Sequence, residues 1–372
     1  MNRLIKTALA SFAGLAGMSL VSCHAVFEDL EPCAQGVELK FVYDYHMEPG
    51  ANAFPANVDC VNVMVFDTLG NYLTHFAESS LVLKDESYRM QLPLDPGSYH
   101  LVVYGGIGCE HPAFNINHDW DVPGAGIKHK DDIVITLPVN GNNESNKQLH
   151  DIEARTGGLF YGSLDLKVET NNSADTYQQA TVYMMKDTNH IQVILQELAS
   201  PSSVDYNDYE FKIIDDNFKL DGYNNVIHTA TDGYKPLYKP FASENRIMGY
   251  TEYQSVNGSV NTEDETNPVQ VACVEFSTSR LITEHFNSAR LVVTKKNGTA
   301  TRADDSTIID IPLITYLSAI RGFGQNWIRS DQEYLDRESN WTLMFFLQND
   351  KWVNSRISVN AWTVRINNAE FD

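Results

Sequence analysis

Tyr88-Arg89-Met90-Gln91-Leu92, followed by Asp95-Pro96-Gly97 and by the run from Tyr99 to Tyr104, is the stretch that decides the fold of this chain. Its first five residues alternate between apolar and polar side chains, which is the period of a half-buried β-strand. Asp-Pro-Gly favours a turn, because proline presets one backbone angle and glycine adopts angles that strain other residues. The stretch therefore predicts two β-strands with a turn between them.

Runs of the same kind recur along the rest of the chain. The segment from Val37 to Tyr43 alternates in the same way, and further apolar or β-branched runs are separated by Gly, Pro, Asn and Asp. These runs predict strands at residues 58–67, 133–137, 160–168, 180–186, 192–195, 209–214, 247–253, 269–276, 289–295, 307–311, 341–347 and 352–366. Two segments, 316–320 and 332–337, are predicted as helical turns. Many short strands between turn residues are typical of a β-sandwich, so the chain is predicted to be all-β.

The length of 372 residues favours two domains, since a domain usually holds about 100–200 residues. The chain becomes polar and rich in asparagine from Asn140 to Asn146, as is typical of a connecting loop. We therefore predict an N-terminal β-sandwich at residues 36–150 and a C-terminal β-sandwich at residues 151–372.

The start of the chain has the layout of a secretory signal. Arg3 and Lys6 precede an apolar stretch, and small residues lead up to Cys23. The apolar stretch is shorter than the roughly 20 residues of a membrane-spanning helix. Because Leu20-Val21-Ser22-Cys23 resembles the lipobox of bacterial lipoproteins, we expect cleavage after residue 22, a lipid on Cys23 and a lipidated tether at residues 23–35. The alternative is an ordinary secretory signal with a chance cysteine.

Four cysteines remain beyond the expected lipid attachment site: Cys33, Cys60, Cys109 and Cys273. An exported protein permits disulfides, and three of the four lie in the first third of the chain. One bridge within the N-terminal domain is therefore plausible, although four cysteines allow three pairings and the sequence does not choose among them. Buried free thiols are the alternative.

Composition and motifs argue against several classes of function. The net charge of −22 should repel nucleic acid. No spacing of a zinc or calcium site is present, and no nucleophile has a recognisable base, so we predict no metal, no cofactor and no enzymatic activity. One Gly/Pro-containing loop holds the densest group of possible metal ligands, which is His111, His118, Asp119, His129, Asp131 and Asp132.

Several segments together resemble a known family, the FimB-like minor fimbrial subunits of Bacteroidales type V fimbriae. They lie near both ends of the chain, and the most specific is Gln332-Glu333-Tyr334-Leu335-Asp336-Arg337-Glu338. The others are Gly36 to Tyr45, Val63 to Asp67 with Gly70, Leu94 to Tyr99, Tyr104-Gly105-Gly106, Trp341, Phe345-Phe346-Leu347, Trp352, and Ile357 to Trp362.

The resemblance implies two tandem transthyretin-like β-sandwich domains and a structural lipoprotein that anchors a fimbria. The implied partners are a fimbrial shaft subunit and the outer membrane, with the protein lipid-anchored, surface-exposed and part of the fimbrium. Shaft precursors of this class are cut after an Arg that follows the first strand. No such Arg aligns here, because Lys40 lies inside a predicted strand.

Two questions stay open at the level of sequence. The chain end beyond Trp352 is a candidate contact with the shaft, but the same strand can instead complete the protein's own sandwich. The many aromatic residues are compatible with a surface glycan-binding lipoprotein or a fimbrial tip adhesin, although they also suit the cores of two sandwiches.

Overall fold

The computed structural model describes fourteen segments of the chain. These segments are residues 36–47, 52–107, 114–118, 126–137, 139–140, 148–149, 158–170, 177–199, 203–228, 237–248, 269–296, 306–322, 327–359 and 362–367. Strands are the predominant secondary structure of the described residues, which confirms the predicted all-β class.

The first sandwich is formed by one seven-stranded sheet that bends back on itself. In spatial order its strands are β3 (Tyr72–Glu78), β2 (Val61–Phe66), β5 (Gly97–Gly105), β10 (Phe160–Val168), β11 (Gln178–Lys186), β1 (Val37–Val42) and β4 (Met90–Leu92). The bend lies between β10 and β11, which share only three residue pairs. The short helix α1 (Phe54–Asn57) follows β1 in the chain.

The two layers of this bent sheet enclose an apolar core. Alternate side chains of β1, including Val37 and Leu39, face alternate side chains of β2 and β5, including Val63 and Leu101. Every residue of β2 is buried, because its other side chains, such as Met64, enter a second core on the opposite face of the sheet.

The second sandwich contains two six-stranded sheets. The first has the order β16 (Ala242–Met248), β17 (Val269–Ser279), β12 (Thr188–Glu197), β20 (Asn340–Gln348), β21 (Lys351–Val359) and β22 (Trp362–Asn367). The second has the order β19 (Ser306–Pro312), β18 (Arg290–Lys295), β13 (Tyr209–Ile214), β15 (Leu237–Tyr238), β9 (Gln148–Leu149) and β8 (Val139–Asn140). Helices α2 (Leu313–Ser318) and α3 (Asp331–Arg337) join β19 to β20.

One large core joins the two sandwiches. It contains residues of both sheets of the second sandwich, such as Trp341 and Phe211, together with Phe66 and Tyr104 from the outer face of the first. A small sheet of β14 (Lys219–Asp221), β7 (Val134–Thr136) and β6 (Asn115–Ile116) contributes to the same core.

The observed strand pairing disagrees with the domain boundary that we predicted after residue 150. Strands β10 and β11, which that division assigns to the second domain, pair with β5 and β1 of the first sandwich. Conversely, β8 and β9 lie before the division and belong to a sheet of the second sandwich. The reason is that strands far apart in sequence pair laterally, so a polar connection at residues 140–146 is not a boundary between sheets.

Two further expectations need correction. The single strand predicted at residues 352–366 is two antiparallel strands, β21 and β22, because the chain reverses between Val359 and Trp362. Strand β3 was missed, since as the edge of its sheet it is half-buried on both faces and shows no alternation. The helical turn predicted at 316–320 spans the end of α2 and the start of a 3-10 turn (Ala319–Gly322), and the one predicted at 332–337 lies within α3.

Candidate functional site

The first strand, β1, is held on both of its edges. It pairs in parallel with β11 over six residues and antiparallel with β4 over three. Val37 and Leu39 are fully buried, and Phe41 stacks on Phe54 with ring centroids 5.1 Å apart. Gly36 precedes the strand at a φ of +112°, where a Cβ would lie 2.0 Å from the carbonyl oxygen of Leu92. The strand is therefore an internal part of the first sandwich.

The last strand, β22, is held differently from β1, whereas the strand before it, β21, is not. Strand β21 lies between β20 and β22, and its Ile357 is fully buried in the large core. Trp352 packs edge-to-face on Phe345, with ring centroids 5.7 Å apart. Strand β22 is the last strand of the sheet order, and within the described residues only one of its edges is paired. The chain end beyond Trp352 thus completes the protein's own sandwich with β21 and presents β22 as an edge.

Helix α3 contains most of the block from Gln332 to Glu338, which carries the most specific part of the family resemblance. The helix contacts both sandwiches. Tyr334 is buried and packs edge-to-face on Trp341, with ring centroids 5.5 Å apart. Arg337 places its guanidinium 3.9 Å from the ring centre of Tyr45, which follows β1 in the first sandwich. Glu333 accepts a hydrogen bond from the Nε of Arg337 at 2.9 Å and so holds that side chain in position.

A buried charged network lies beside this helix. Arg280, at the end of β17, donates two hydrogen bonds of 2.9 Å to the carboxylate of Asp336 and one of 2.5 Å to the backbone oxygen of Asn224. Asp187 is fully buried in the one-residue link between β11 and β12, and its Oδ1 accepts a hydrogen bond of 2.9 Å from Asn224. Burial raises the pKa of Asp187 from 3.8 to about 7, although Arg280 partly offsets this.

Two open grooves accompany the second sandwich. One of about 490 Å³ lies at the junction and is lined by residues of both sandwiches, among them Asp59, His190 and Asn340. The other, of about 420 Å³, lies on the outer face of the sheet that ends in β22. This outer groove combines apolar side chains, such as Met248 and Met344, with polar ones.

The structure locates only some of the residues that the sequence singled out. Cys23, Cys33 and Cys109 lie outside the described residues. Cys60 is disulfide-bonded to a cysteine that is itself outside them. Cys273 is not part of a disulfide: it is a buried free thiol on β17, and its burial raises the pKa to about 11.

The described histidines of the loop predicted to hold possible metal ligands, His118 and His129, have structural roles. His129 caps a short 3-10 turn through its Nδ1, and its Nε2 lies 2.8 Å from the backbone oxygen of Leu69. His118 packs instead against the rings of Tyr72 and His75. The glycine-rich segment after β5 is a turn, since Gly106 has a φ of +85°. Among the described residues, no group of three acidic, histidine or cysteine side chains converges on a single metal position.

Sequence reasoning missed Asp187, Asn224 and Arg280. They lie far apart in the chain and belong to no spacing motif, so only the three-dimensional fold brings them together. The one available signal was the conspicuous block around α3, which contains their partner Asp336.

None of the helices in the described part of the chain has the length and hydropathy of a membrane span.

Among known proteins, a family model described as fimbrillin-A associated anchor proteins Mfa1 and Mfa2 matches residues 30–368 of this chain. A candidate adhesin crystallised from Bacteroides thetaiotaomicron is 37% identical, with 91% of this chain and 100% of that chain covered and a TM-score of 0.71. A candidate polysaccharide-binding protein from the same organism is 28% identical, with 90% and 98% covered and a TM-score of 0.66.

The solved structure of the fimbrial anchor protein Mfa2 from Porphyromonas gingivalis extends the similarity at the level of the fold. It is 19% identical, covers 89% of this chain and 99% of that chain, and has a TM-score of 0.59. No curated protein sequence matches the chain.

Proposed function

This chain belongs to the family of fimbrillin-A associated anchor proteins, and from that premise we propose that it is an outer-membrane lipoprotein that holds a fimbrial shaft at the cell surface. The family consists of structural proteins of fimbriae. The lipid on Cys23 and the docking of a shaft subunit through strand contacts are the finer parts of the proposal.

The observation that carries the proposal is the contrast between the first and the last strand of the described chain, β1 and β22. An extended segment of a partner can add to a sheet only where a strand has an unpaired edge, since main-chain hydrogen bonds supply the pairing. Among the residues that the structure describes, β22 has such an edge, whereas β1 is paired on both sides. We therefore assign shaft docking to the β22 edge of the second sandwich.

An anchor must also attach to the membrane, and the lipid provides this attachment. Each buried methylene of an acyl chain contributes about 0.8 kcal/mol, so two or three chains hold a protein firmly on a membrane. The lipobox at Leu20 to Cys23 supports this attachment. A tether of about a dozen residues then separates Cys23 from Gly36, the residue that precedes β1.

The proposal is tested in cells that lack the gene and are complemented with defined variants. Wild type should return the shaft polymers to the cells. Cys23→Ala should release the shafts into the medium with this protein still bound to them. A chain that ends at Val359 and lacks β22 should release the shafts while this protein stays on the cells.

A matched control uses the other edge of the same sheet. Ile247 is exposed on β16, and Ile247→Lys places on that edge a charge that disfavours strand addition. This variant should retain the shafts, and circular dichroism should show that the shortened chain is folded. The proposal fails if shafts stay cell-bound without the gene, or if the folded chain that ends at Val359 retains them.

A surface glycan-binding role is the second candidate. It rests on the outer groove and on the relative described as a candidate polysaccharide-binding protein. The described exposed aromatic residues Tyr183, Tyr223 and Trp327 lie on three different elements, which offers little support for a sugar-stacking platform. Measurable polysaccharide affinity that Arg356→Ala in the groove weakens, together with cell-bound shafts in the deletion strain, would favour this role.

A further inference from the structure

Two adjoining grooves lie where the sandwiches meet, and together we call them the junction recess. The groove of about 490 Å³ shares three lining residues, Asn57, Lys186 and Asn340, with a smaller groove of about 150 Å³. Lys186 ends β11 in the first sandwich, whereas Asn340 begins β20 in the second. Arg337 of helix α3 lines the smaller groove. Both sandwiches therefore contribute polar side chains to one recess.

Lys186 has fewer hydrogen bonds than its ammonium group can form. An ammonium has three N–H donors, and the one described hydrogen bond of Lys186 is a long one of 3.4 Å to the Oγ of Ser339. Burial in the recess lowers the pKa of Lys186, and the nearby carboxylate of Glu338 partly offsets this. Within the described part of the chain Lys186 forms no ion pair, so its other donors are available to an anion.

Arg337 is a second cation of the recess with donors to spare. Its Nε donates a hydrogen bond of 2.9 Å to Glu333, and its guanidinium lies 3.9 Å from the ring centre of Tyr45. These contacts orient the group, and the two terminal nitrogens have no hydrogen-bond partner among the described residues. A guanidinium in this situation is suited to a carboxylate, which it binds through parallel hydrogen bonds. In a chain with a net charge of −22, two such cations in one recess favour an anionic ligand.

The larger groove has the lining of a sugar site. Asn57, Asn340 and Ser277 carry side-chain amides or a hydroxyl, which can exchange hydrogen bonds with the hydroxyl groups of a sugar. Thr188 lines the same groove and is 8% exposed, and its buried Oγ1 has no hydrogen-bond partner among the described residues. A buried hydroxyl without a partner is costly, so a ligand that bonds to it would bind favourably. Phe241 adds an aromatic ring to the lining.

We propose that the junction recess binds an acidic sugar of the uronate class. The carboxylate of the sugar accepts charge-assisted hydrogen bonds from Lys186 and Arg337, and its hydroxyl groups bond to the amides and hydroxyls of the larger groove. A volume of about 490 Å³ lies within the range of about 300–1,000 Å³ that small-molecule sites occupy. No lining residue belongs to β21 or β22, so the site is separate from the edge assigned to shaft docking.

The test is calorimetric titration of the chain that begins at Cys23, expressed without the signal so that no lipid is added. The probe is trigalacturonate, and its fully methyl-esterified form is the matched ligand without charge. Wild type should bind one trigalacturonate per chain, about tenfold or more tightly than the ester, because only the acid forms charge-assisted hydrogen bonds.

Two variants remove the cations one at a time. Lys186→Met and Arg337→Gln should each weaken the binding of trigalacturonate about tenfold or more, and should leave the weak binding of the ester unchanged. Because burial disfavours the ammonium of Lys186, its replacement by methionine should not lower the unfolding temperature. Circular dichroism of both variants checks that they are folded.

Arg290→Gln is the matched control. The Nε of Arg290 also donates to a carboxylate, the Oδ1 of Asp310 at 2.8 Å, but Arg290 lines neither groove of the recess. This variant should bind trigalacturonate as wild type does. Wild type that does not bind trigalacturonate or binds the ester equally well, or folded Lys186→Met and Arg337→Gln that bind it as wild type does, would overturn the proposal. A triglutamate peptide that binds as tightly as trigalacturonate would overturn the assignment to a sugar.

Discussion

The first and last strands of the described chain differ in how they are held. Strand β1 is paired on both edges and buries Val37 and Leu39 completely, whereas β22 is the outer strand of its sheet. Both ends nevertheless belong to sheets that share one large core through Phe66 and Trp341. An end that is paired on one side can accept a partner strand without unfolding, and an end that is paired on both sides cannot.

The same comparison shows at which residue the internally paired part of the sheet ends. Strand β21 resembles β1 more than β22, because it has neighbours on both edges and buries Ile357 in the core. Of the strands β1, β21 and β22, only β22 is paired on a single edge within the described residues. The following predictions test this contrast, beginning with the largest expected effect.

The largest effect is expected at the first strand. Phe41→Ala removes a ring that is 3% exposed and stacked on Phe54, so it should lower the free energy of unfolding by about 3–5 kcal/mol. Urea unfolding of the chain without its signal measures this change. Lys40→Ala, on the opposite face of the same strand, is the control and should change stability by no more than about 0.5 kcal/mol. A small effect of Phe41→Ala would mean that β1 is not an essential part of the sandwich.

Strand β21 should behave like β1. Ile357→Ala removes a fully buried side chain from the large core and should lower the free energy of unfolding by about 2–5 kcal/mol. Lys351→Ala, at the exposed start of the same strand, is the control. If Ile357→Ala were as mild as this control, β21 would not be an essential part of the sandwich. The edge available for docking would then be that of β20 instead of β22.

The one-residue link between the two sandwiches, Asp187, should respond to pH. Asp187 joins β11, the partner of β1, to β12, the partner of β20. Burial raises its pKa from 3.8 to about 7, so between these values the folded protein keeps a proton that the unfolded chain loses. This group therefore makes stability fall as pH rises from about 4 to about 7, with a slope of up to about 1.4 kcal/mol per pH unit.

Asp187→Asn has no such proton and should remove this fall. Urea unfolding at pH 5 and pH 8 should show that the variant gains stability relative to wild type at the higher pH. Parallel stabilities of the two proteins at both pH values would mean that Arg280 keeps Asp187 charged throughout.

The sequence predicted the class of the fold better than its connections. Alternation identified strands such as β10 and β13 with the observed bounds, because each has one face in a core. It could not predict that β1 pairs with β11, since their pairing is set by the geometry of the whole sandwich. For the same reason, the division after residue 150 misplaced β10 and β11.

The candidate site could be predicted only in part. The block that becomes α3 was recognised as specific, but its sequence does not reveal that Arg337 stacks on Tyr45 or that Asp336 pairs with Arg280. The burial of these charges depends on elements that are distant in sequence. The lipid site at Cys23 lies outside the described residues and stays a prediction.

The smallest effect is expected where α3 contacts the segment after β1. Arg337→Ala removes a guanidinium 3.9 Å from the ring centre of Tyr45, and such partly exposed cation–π contacts contribute about 0.5–1 kcal/mol. Arg290→Ala is the control, because the described contacts that it removes, a surface ion pair and a hydrogen bond to the backbone oxygen, are with Asp310 and not with Tyr45. In the double-mutant cycle with Tyr45→Ala, the Arg337 change should show a coupling of that size and the Arg290 change none. A coupling of zero for Arg337 would mean that the shared core alone holds the first strand to the second sandwich.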